Sequence, residues 1–227
     1  MVRTTLVILT RNEISGVKEV LKNIPLKLVD EVFAVDYKST DGTVEFLKKH
    51  KIPVISQTVA GRGNAFKIAA KKARGEFIIF FSPDGNEDPK DIAKLLPKIK
   101  DHDLVIASRF MKGSRNEEDD KVLKFRKWAN EAFSIAVRMF WGGKVTDTIN
   151  GYRIINKEFF KKLHLDEEGF AIEFQMTIRT LKLGGKIYEI PTKEGDRIGG
   201  MSTANSIPTG IKFVKLLIKE LRIGSNF

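Results

Sequence analysis

The chain contains no cysteine. That absence excludes a disulfide framework, thiolate zinc sites and a cysteine nucleophile, and it suits a reducing compartment. Histidine is nearly absent too, with only His50, His102 and His164. Each stands at the end of a Lys-rich or Asp-rich helical stretch, so all three are expected in solvent, and neither a Ser-His-Asp triad nor a multi-histidine metal site is expected. No apolar run approaches the ~18 residues of a membrane-spanning helix; the longest is Phe77–Phe81. The segment Met1–Thr5 leads straight into a strand-like run without the plan of a signal peptide, so a cytoplasmic chain is expected. The aromatic residues are mostly phenylalanines inside apolar runs rather than interleaved with basic residues. A base-stacking surface is therefore not expected, and nucleic acid is not an expected partner.

What is present is a globular composition: 227 residues, 42% hydrophobic and 30% charged. Forty Lys and Arg against 29 Asp and Glu leave a net charge of +11. Such a balance favours an anionic partner, either a phosphorylated substrate or a membrane surface.

Short apolar runs alternate with helical periods in the first half. Strands are predicted at Leu6–Thr10, Val32–Asp36, Val54–Gln57, Phe77–Phe81 and Leu104–Ala107. Helices are predicted at Ser15–Asn23, Thr43–His50, Asn64–Ala73 and Asp88–Ile99. This alternation implies an α/β architecture with a mostly parallel central sheet. The second half reads as a polar loop (Met111–Lys121), a long helix (Leu123–Phe140), a turn and strand (Asp147–Ile155), a helix (Ala171–Leu183) and an edge strand (Lys186–Ile190). A glycine-rich loop (Gly195–Ser206) and a final helix (Ile207–Leu221) follow. Residues 1–206 are expected to form the main domain and 207–227 an amphipathic C-terminal extension of it. In that last helix Ile211, Val214, Leu217, Ile218 and Leu221 share one face. Lys212, Lys215, Lys219 and Arg222 form a basic stripe suited either to solvent or to an anionic membrane surface.

Ligands of open parallel sheets gather beyond the carboxyl ends of the strands. The polar clusters fall there: Thr10-Arg11-Asn12-Glu13, Asp36, Gly61–Asn64 and Ser82–Asn86. In the last of these, Asp84 and Asn86 stand two residues apart in a loop, and both oxygens can turn toward one hard cation such as Mg²⁺ or Mn²⁺. Asp36 ends a strand, where its carboxylate can accept hydrogen bonds from a base or ribose. Gly61-Arg62-Gly63 can bring backbone amides and Arg62 to a phosphate at a helix start. Arg109, Arg126, Arg153 and Arg197 are expected at the same rim, where guanidinium groups suit phosphate.

In order, these pieces resemble glycosyltransferase family 2, with the GT-A fold, and within it dolichyl-phosphate mannose synthase and related polyprenyl-phosphate glycosyltransferases. The resemblance runs from about Leu6 to Ser202. It rests on Thr10–Glu13, Val35–Thr43, Gly61–Ala65, Ser82–Asn86, Ser108-Arg109-Phe110, Asp147–Arg153, Glu189-Ile190-Pro191 and Arg197–Ser202. It implies that Glu13 and Asp36 contact the nucleoside, with Arg62 and Gly63 beside the donor. It also implies that Asp84 and Asn86 hold a divalent metal and that Arg109, Arg126 and Arg197 grip an acceptor phosphate. Asp147 is a further candidate, as a base or as the residue that orients an arginine. One departure stands out: the usual Asp-x-Asp reads Ser82-Pro83-Asp84, so the first carboxylate is missing, with Glu87 placed to compensate. The expected activity is inverting, metal-dependent transfer of a sugar from a GDP- or UDP-linked donor to a polyprenyl phosphate. A saccharide or small-molecule hydroxyl acceptor is the alternative, as is an inactive relative that only binds nucleotide or membrane.

Overall fold

The computed structural model describes residues 3–120, 124–198 and 206–227. Seven strands form one sheet: β1 (Thr4–Thr10), β2 (Glu31–Asp36), β3 (Val54–Ser56), β4 (Phe77–Phe81), β5 (Leu104–Ser108), β6 (Arg153–Asn156) and β7 (Ile187–Pro191). Their spatial order is β3-β2-β1-β4-β6-β5-β7. β1 and β4 are buried along their whole length. A strand with no polar face requires cover on both sides, and the helices supply it.

One layer contains α1 (Ile14–Val20), α2 (Thr43–Lys49) and α4 (Ile92–Lys98). The other contains α3 (Arg62–Lys72), α5 (Phe125–Trp141), α6 (Lys157–Lys162), α7 (Ile172–Lys182) and α8 (Ser206–Ile223). This is the mostly parallel α/β sheet read from the sequence, with β7 at the expected edge. The six-residue α6 was not foreseen, because it is too short to show a period. The helix expected from Asp88 splits into a 3-10 turn, Pro89–Asp91, and α4; Asp88 caps that turn by accepting from the Lys90 amide.

The sheet register places the site. β1 pairs in parallel with β2 and β4, so Thr10 lies beside Asp36, and Asp36 lies beside Ser56. β6 runs antiparallel to both β4 and β5. The start of β6 therefore lies at the same sheet edge as the ends of β4 and β5. One reversed strand thus brings Asp147–Arg153 next to Ser82–Asn86 and Arg109.

α8 is not a separate appendage in its packing. Phe213 and Leu216 are buried in the same core cluster as Phe174 and Val137, and Phe213 meets Phe133 and Phe174 edge-on or tilted. The face that packs inward is Phe213, Leu216 and Glu220, with Leu217 partly buried. Of the face expected from the sequence, Ile211, Val214, Ile218 and Leu221 are exposed. The Gly195–Ser206 loop lies mostly outside the described residues, as does the start expected for α5 at Leu123.

Candidate active site

Two cavities meet beyond the strand ends. The smaller, about 230 Å³, is bordered by Glu13, Tyr37, Gln57 and Gly61. The larger, about 790 Å³, is lined by polar residues, among them Arg109, Arg126 and Glu173, and by apolar ones, among them Phe125, Phe133 and Val214. Arg62, Ser82, Asp84, Phe170 and Arg197 border both, so they stand at the junction.

Asp84 lies in the turn after β4. Its Oδ1 accepts from the Asn86 amide at 3.2 Å and its Oδ2 from Arg197 Nη1 at 2.9 Å. The other arm of Arg197, Nη2, donates to Glu13 Oε1 at 2.9 Å. Arg197 is held here by its own backbone neighbourhood: the Gly195 amide donates to the Asn86 carbonyl and the Ile198 amide to the Asp84 carbonyl. That closure requires glycine at 85, which adopts φ +93°; a Cβ there would lie 2.6 Å from Ile198 Cγ1. Burial pushes the Glu13 carboxyl up to about 7, with Arg197 opposing the rise and Asp84 and Asp41 adding to it.

Ser82 occupies the position of the missing carboxylate. Its hydroxyl receives Arg62 Nη1 at 3.2 Å, and its amide donates to Glu87 Oε2 at 2.7 Å. Burial pushes Glu87 up to about 8, against the pull of Arg62. Arg62 also pairs with Glu173, and it reaches there only because residue 151 has no side chain: a Cβ on Gly151 would lie 1.9 Å from Arg62 Nη2.

Arg109 is fixed by Asp147 through Nε at 2.7 Å, Nη2 at 3.0 Å and its own amide at 3.1 Å. Asp147 is fully buried and borders neither cavity. Burial works against its charge, yet Arg109 holds the carboxyl below the usual range. Asp147 is therefore placed to orient Arg109 rather than to take a proton. Arg126 bonds Glu117 at 2.9 Å, and Glu117 accepts from Asn86 Nδ2 at 3.3 Å, which links the rim of the larger cavity to the Asp84 loop.

The chain has relatives among known proteins. A family model described as glycosyl transferase family 2 matches residues 5–164. The chain belongs to glycosyl transferase family 2. Among relatives of this family 2 chain, the glycosyltransferase AglJ of Haloferax volcanii is 26% identical over 86% of the chain. The chain spans 63% of AglJ's length. An undecaprenyl-phosphate mannosyltransferase of Micrococcus luteus is 28% identical over 83% of the chain and 82% of the relative. Glucosyl-3-phosphoglycerate synthase of Mycobacterium tuberculosis, solved with Mn²⁺, UDP-glucose and phosphoglyceric acid, shares the GT-A fold. It has a TM-score of 0.76 at 19% identity, over 96% of this chain and 79% of that one.

Within this family 2 chain, the residues expected in the site divide into three groups. Glu13, Arg62, Asp84, Asn86, Arg109, Arg126 and Arg197 all border one or both cavities. Asp36 and Gly63 are near the site but engaged elsewhere. The Asp36 carboxylate accepts from Thr10 Oγ1 at 2.8 Å and from the Ser39 amide at 3.0 Å, while its neighbours Val35 and Tyr37 border the smaller cavity. The Gly63 amide donates to the Glu168 carbonyl at 2.8 Å, and Asn64 shares that acceptor. The backbone cradle expected from Gly61–Asn64 is therefore closed by the chain itself. Arg153 leaves the rim altogether. It is fully buried on β6, donating to the Asn150 and Glu173 carbonyls and to Thr177, and burial lowers it to about 10.

Sequence reasoning missed Glu173 and Phe170. Glu173 is buried near the start of α7, and its Oε2 has no partner. The available signal was the acid in the first turn of α7, a helix buried from Ile172 to Thr180.

The fit to a divalent metal can be judged on the oxygens present. Among the described residues there is no cluster of three acidic or histidine side chains arranged around a point. Asp84 offers a carboxylate, and in the same loop the buried Asn86 Oδ1 has no hydrogen-bond partner. Mg²⁺ and Mn²⁺ at phosphoryl-transfer sites commonly take one or two protein oxygens and complete their shell with water and substrate phosphate. Asp84 and Asn86 fit such a site.

Proposed function

We propose that this chain transfers a sugar, with inversion, from a nucleoside diphosphate sugar to a polyprenyl phosphate, with Mg²⁺ or Mn²⁺ bound by Asp84 and Asn86. The observation that carries this reading is that Arg109, Arg126 and Arg197 border one cavity that Phe125, Phe133, Ile211 and Val214 also line. A phosphate headgroup on an isoprenoid chain needs both kinds of lining. A free sugar hydroxyl needs neither. The activity named for the Micrococcus luteus relative points the same way.

The donor nucleoside sits in the smaller cavity beside Glu13 and Tyr37. Its diphosphate reaches the junction at Asp84. A divalent ion held by Asp84 and Asn86 would supply neutralisation of the charge on the leaving diphosphate. An acceptor phosphate monoester already carries about −1.5 to −2 charges at neutral pH, so its oxygen attacks without a general base. That oxygen forms the bond to the anomeric carbon as the bond to the diphosphate breaks, and the diphosphate leaves with the electron pair. The protein's work is to hold the two reactants in line and to exclude water. Arg109, locked by Asp147, is a fixed donor; Arg126 and Arg197 are adjustable ones. Glu173 Oε2 is free to accept from a sugar hydroxyl.

A hydroxyl acceptor would instead require a carboxylate base. Thermal-shift titration with GDP- and UDP-linked sugars, with and without Mn²⁺, tests the donor half, because a ligand of the native state raises stability by mass action. The expected result is a metal-dependent rise with one nucleotide class. No rise with any nucleotide sugar overturns the reading. A rise without transfer to a polyprenyl phosphate marks an inactive nucleotide-binding relative.

A further inference from the structure

We infer that the outer faces of α5 and α8 form one surface that inserts into an anionic lipid bilayer and opens the larger cavity directly onto it. The first observation is on α5. Its outward stripe is Phe125, Trp128, Ala129, Ala132, Ile135 and Met139, at helical spacing and without a polar interruption. Phe125 is 66% exposed and Met139 77% exposed. A surface helix of a globular protein normally turns charged residues outward. Here the charged residues Arg126, Lys127, Glu131 and Arg138 lie off the outward stripe instead.

The second observation is on α8, which carries three stripes where a surface helix needs two. Phe213, Leu216 and Glu220 pack inward. Ile211, Val214, Ile218 and Leu221 are apolar and exposed. Lys212, Lys215, Lys219 and Arg222 each follow one of those apolar residues by a single position, a rotation of about 100°. The apolar stripe therefore has the buried stripe on one side and the basic stripe on the other. α5 and α8 pack against each other, and Phe125 and Ala129 of one exposed stripe line the larger cavity together with Ile211 and Val214 of the other. Single exposed apolar residues are unremarkable, whereas a patch contributed by two helices marks a contact.

Charge selects the occupant. A second copy of this chain would bring one basic stripe near another, on molecules that each carry +11. An anionic bilayer satisfies both stripes at once: acyl chains take the apolar residues and headgroups take the lysines. Trp128, half exposed, has the apolar body and polar N–H suited to that boundary. The larger cavity shares its edge with this surface, since Phe125, Ile211, Val214 and Lys215 line the cavity and are themselves exposed. An isoprenoid tail could thus stay among the acyl chains while its phosphate enters the cavity. The inference deepens the proposed reaction by naming where its acceptor comes from, but the surface carries it without that reaction.

The test uses the whole chain with Trp141→Phe, which leaves Trp128 as its one tryptophan, and vesicles that contain neither sugar donor nor lipid phosphate. With phosphatidylcholine–phosphatidylglycerol vesicles, Trp128 emission is expected to shift blue and to be quenched by brominated acyl chains. Ile135→Glu and Met139→Glu are each expected to weaken vesicle binding on the order of tenfold, with circular dichroism and thermal stability unchanged. Lys212→Glu with Lys215→Glu is expected to abolish the preference for anionic over purely phosphatidylcholine vesicles. Absence of quenching, or binding indifferent to both acidic substitutions, overturns the inference. So does light scattering that shows a dimer broken by Ile135→Glu, because the surface would then belong to a second copy. Transfer to a short, water-soluble polyprenyl phosphate, measured separately, should be unaffected by Ile135→Glu; its loss in the wild-type chain would fault the reaction and not the docking.

Discussion

The guanidinium of Arg197 lies between Asp84 and Glu13, 2.9 Å from an oxygen of each. It ties the donor-side cavity to the carboxylate proposed to hold the metal, and its single positive charge is shared between the two acids. The same side chain borders the acceptor cavity. A divalent ion arriving at Asp84 meets a resident cation and must compete with it. On the proposed reaction, Arg197 displaced in this way would meet the acceptor phosphate.

Arg197→Ala should therefore tighten binding of free Mn²⁺ while impairing transfer. One charge-assisted contact of ~1.5 kcal/mol is about tenfold in affinity. Titration of donor-free protein by Mn²⁺ electron paramagnetic resonance measures this. Weaker Mn²⁺ binding in the variant would show that Arg197 supports the metal site rather than competing for it. The acceptor KM of the variant should rise more than the donor KM.

Asp84→Ala should abolish transfer while the fold persists, because the loop carboxylate is not part of either core cluster. Ser82→Asp should strengthen Mn²⁺ binding if residue 82 faces the ion. In this structure its hydroxyl faces Arg62, so a gain also depends on Arg62 accepting the new carboxylate. Calorimetry on the two variants separates these effects.

Gly151→Ala places a methyl where Arg62 Nη2 now lies. The flexible end of Arg62 can move, so the stability cost should be small, but its contacts with Ser82 and Glu173 are lost. A displacement of about 1 Å in a site can cost ~100-fold in rate. The expected outcome is a large fall in kcat with little change in Tm. A variant that unfolds instead would show that Arg62 is held too tightly to yield.

Asp36→Ala should cost stability as well as nucleotide affinity. Its carboxylate satisfies Thr10 and the Ser39 amide, and the loss of buried hydrogen bonds of this kind costs about 1–3 kcal/mol. Urea unfolding reads the first effect and nucleoside diphosphate titration the second. A large affinity loss at unchanged stability would mean that Asp36 touches the nucleoside directly.

Glu13 sets a pH dependence of known sign. Its folded pKa is raised from 4.5 to about 7. The folded state therefore binds the proton more tightly than the unfolded chain does. The associated stability is fully present below about 4.5 and declines as pH rises through about 7. Glu13→Gln should flatten the pH dependence of Tm across that window in donor-free protein. A profile unchanged by the substitution would place the titration elsewhere.

Much of this was legible before the coordinates. β4 announced itself by five apolar residues in a row, and the polar clusters after β1, β2 and β4 fell at strand ends as a parallel sheet requires. Arg109, Arg126 and Arg197 were expected at one rim, and all three border the larger cavity. What could not be read was tertiary. Arg153 resembles its rim neighbours in sequence, yet the antiparallel turn of β6 points it into the core, where Glu173 and Asn150 carbonyls receive it. Gly63 looked available to a phosphate, but the Glu168 carbonyl comes from a hundred residues away to take its amide. The apolar periodicity of α8 was real, but the face that packs is a different one: Phe213 and Leu216 fill the core and leave Ile211 and Val214 outside. α5's apolar stripe drew no notice, since apolar residues on a helix are expected to be buried.

The most direct measurement of the account is product analysis. The chain is incubated with Mn²⁺, each GDP- and UDP-linked hexose in turn, and a polyprenyl phosphate, with the parent polyprenol and 3-phosphoglycerate as competing acceptors. Mass spectrometry then identifies the product and NMR its anomeric configuration. The account predicts a hexosyl-phosphoryl-polyprenol, formed only with the lipid phosphate and Mn²⁺ present, whose anomeric configuration is opposite to the donor's. A product on the polyprenol or phosphoglycerate alone, or a retained configuration, would contradict it.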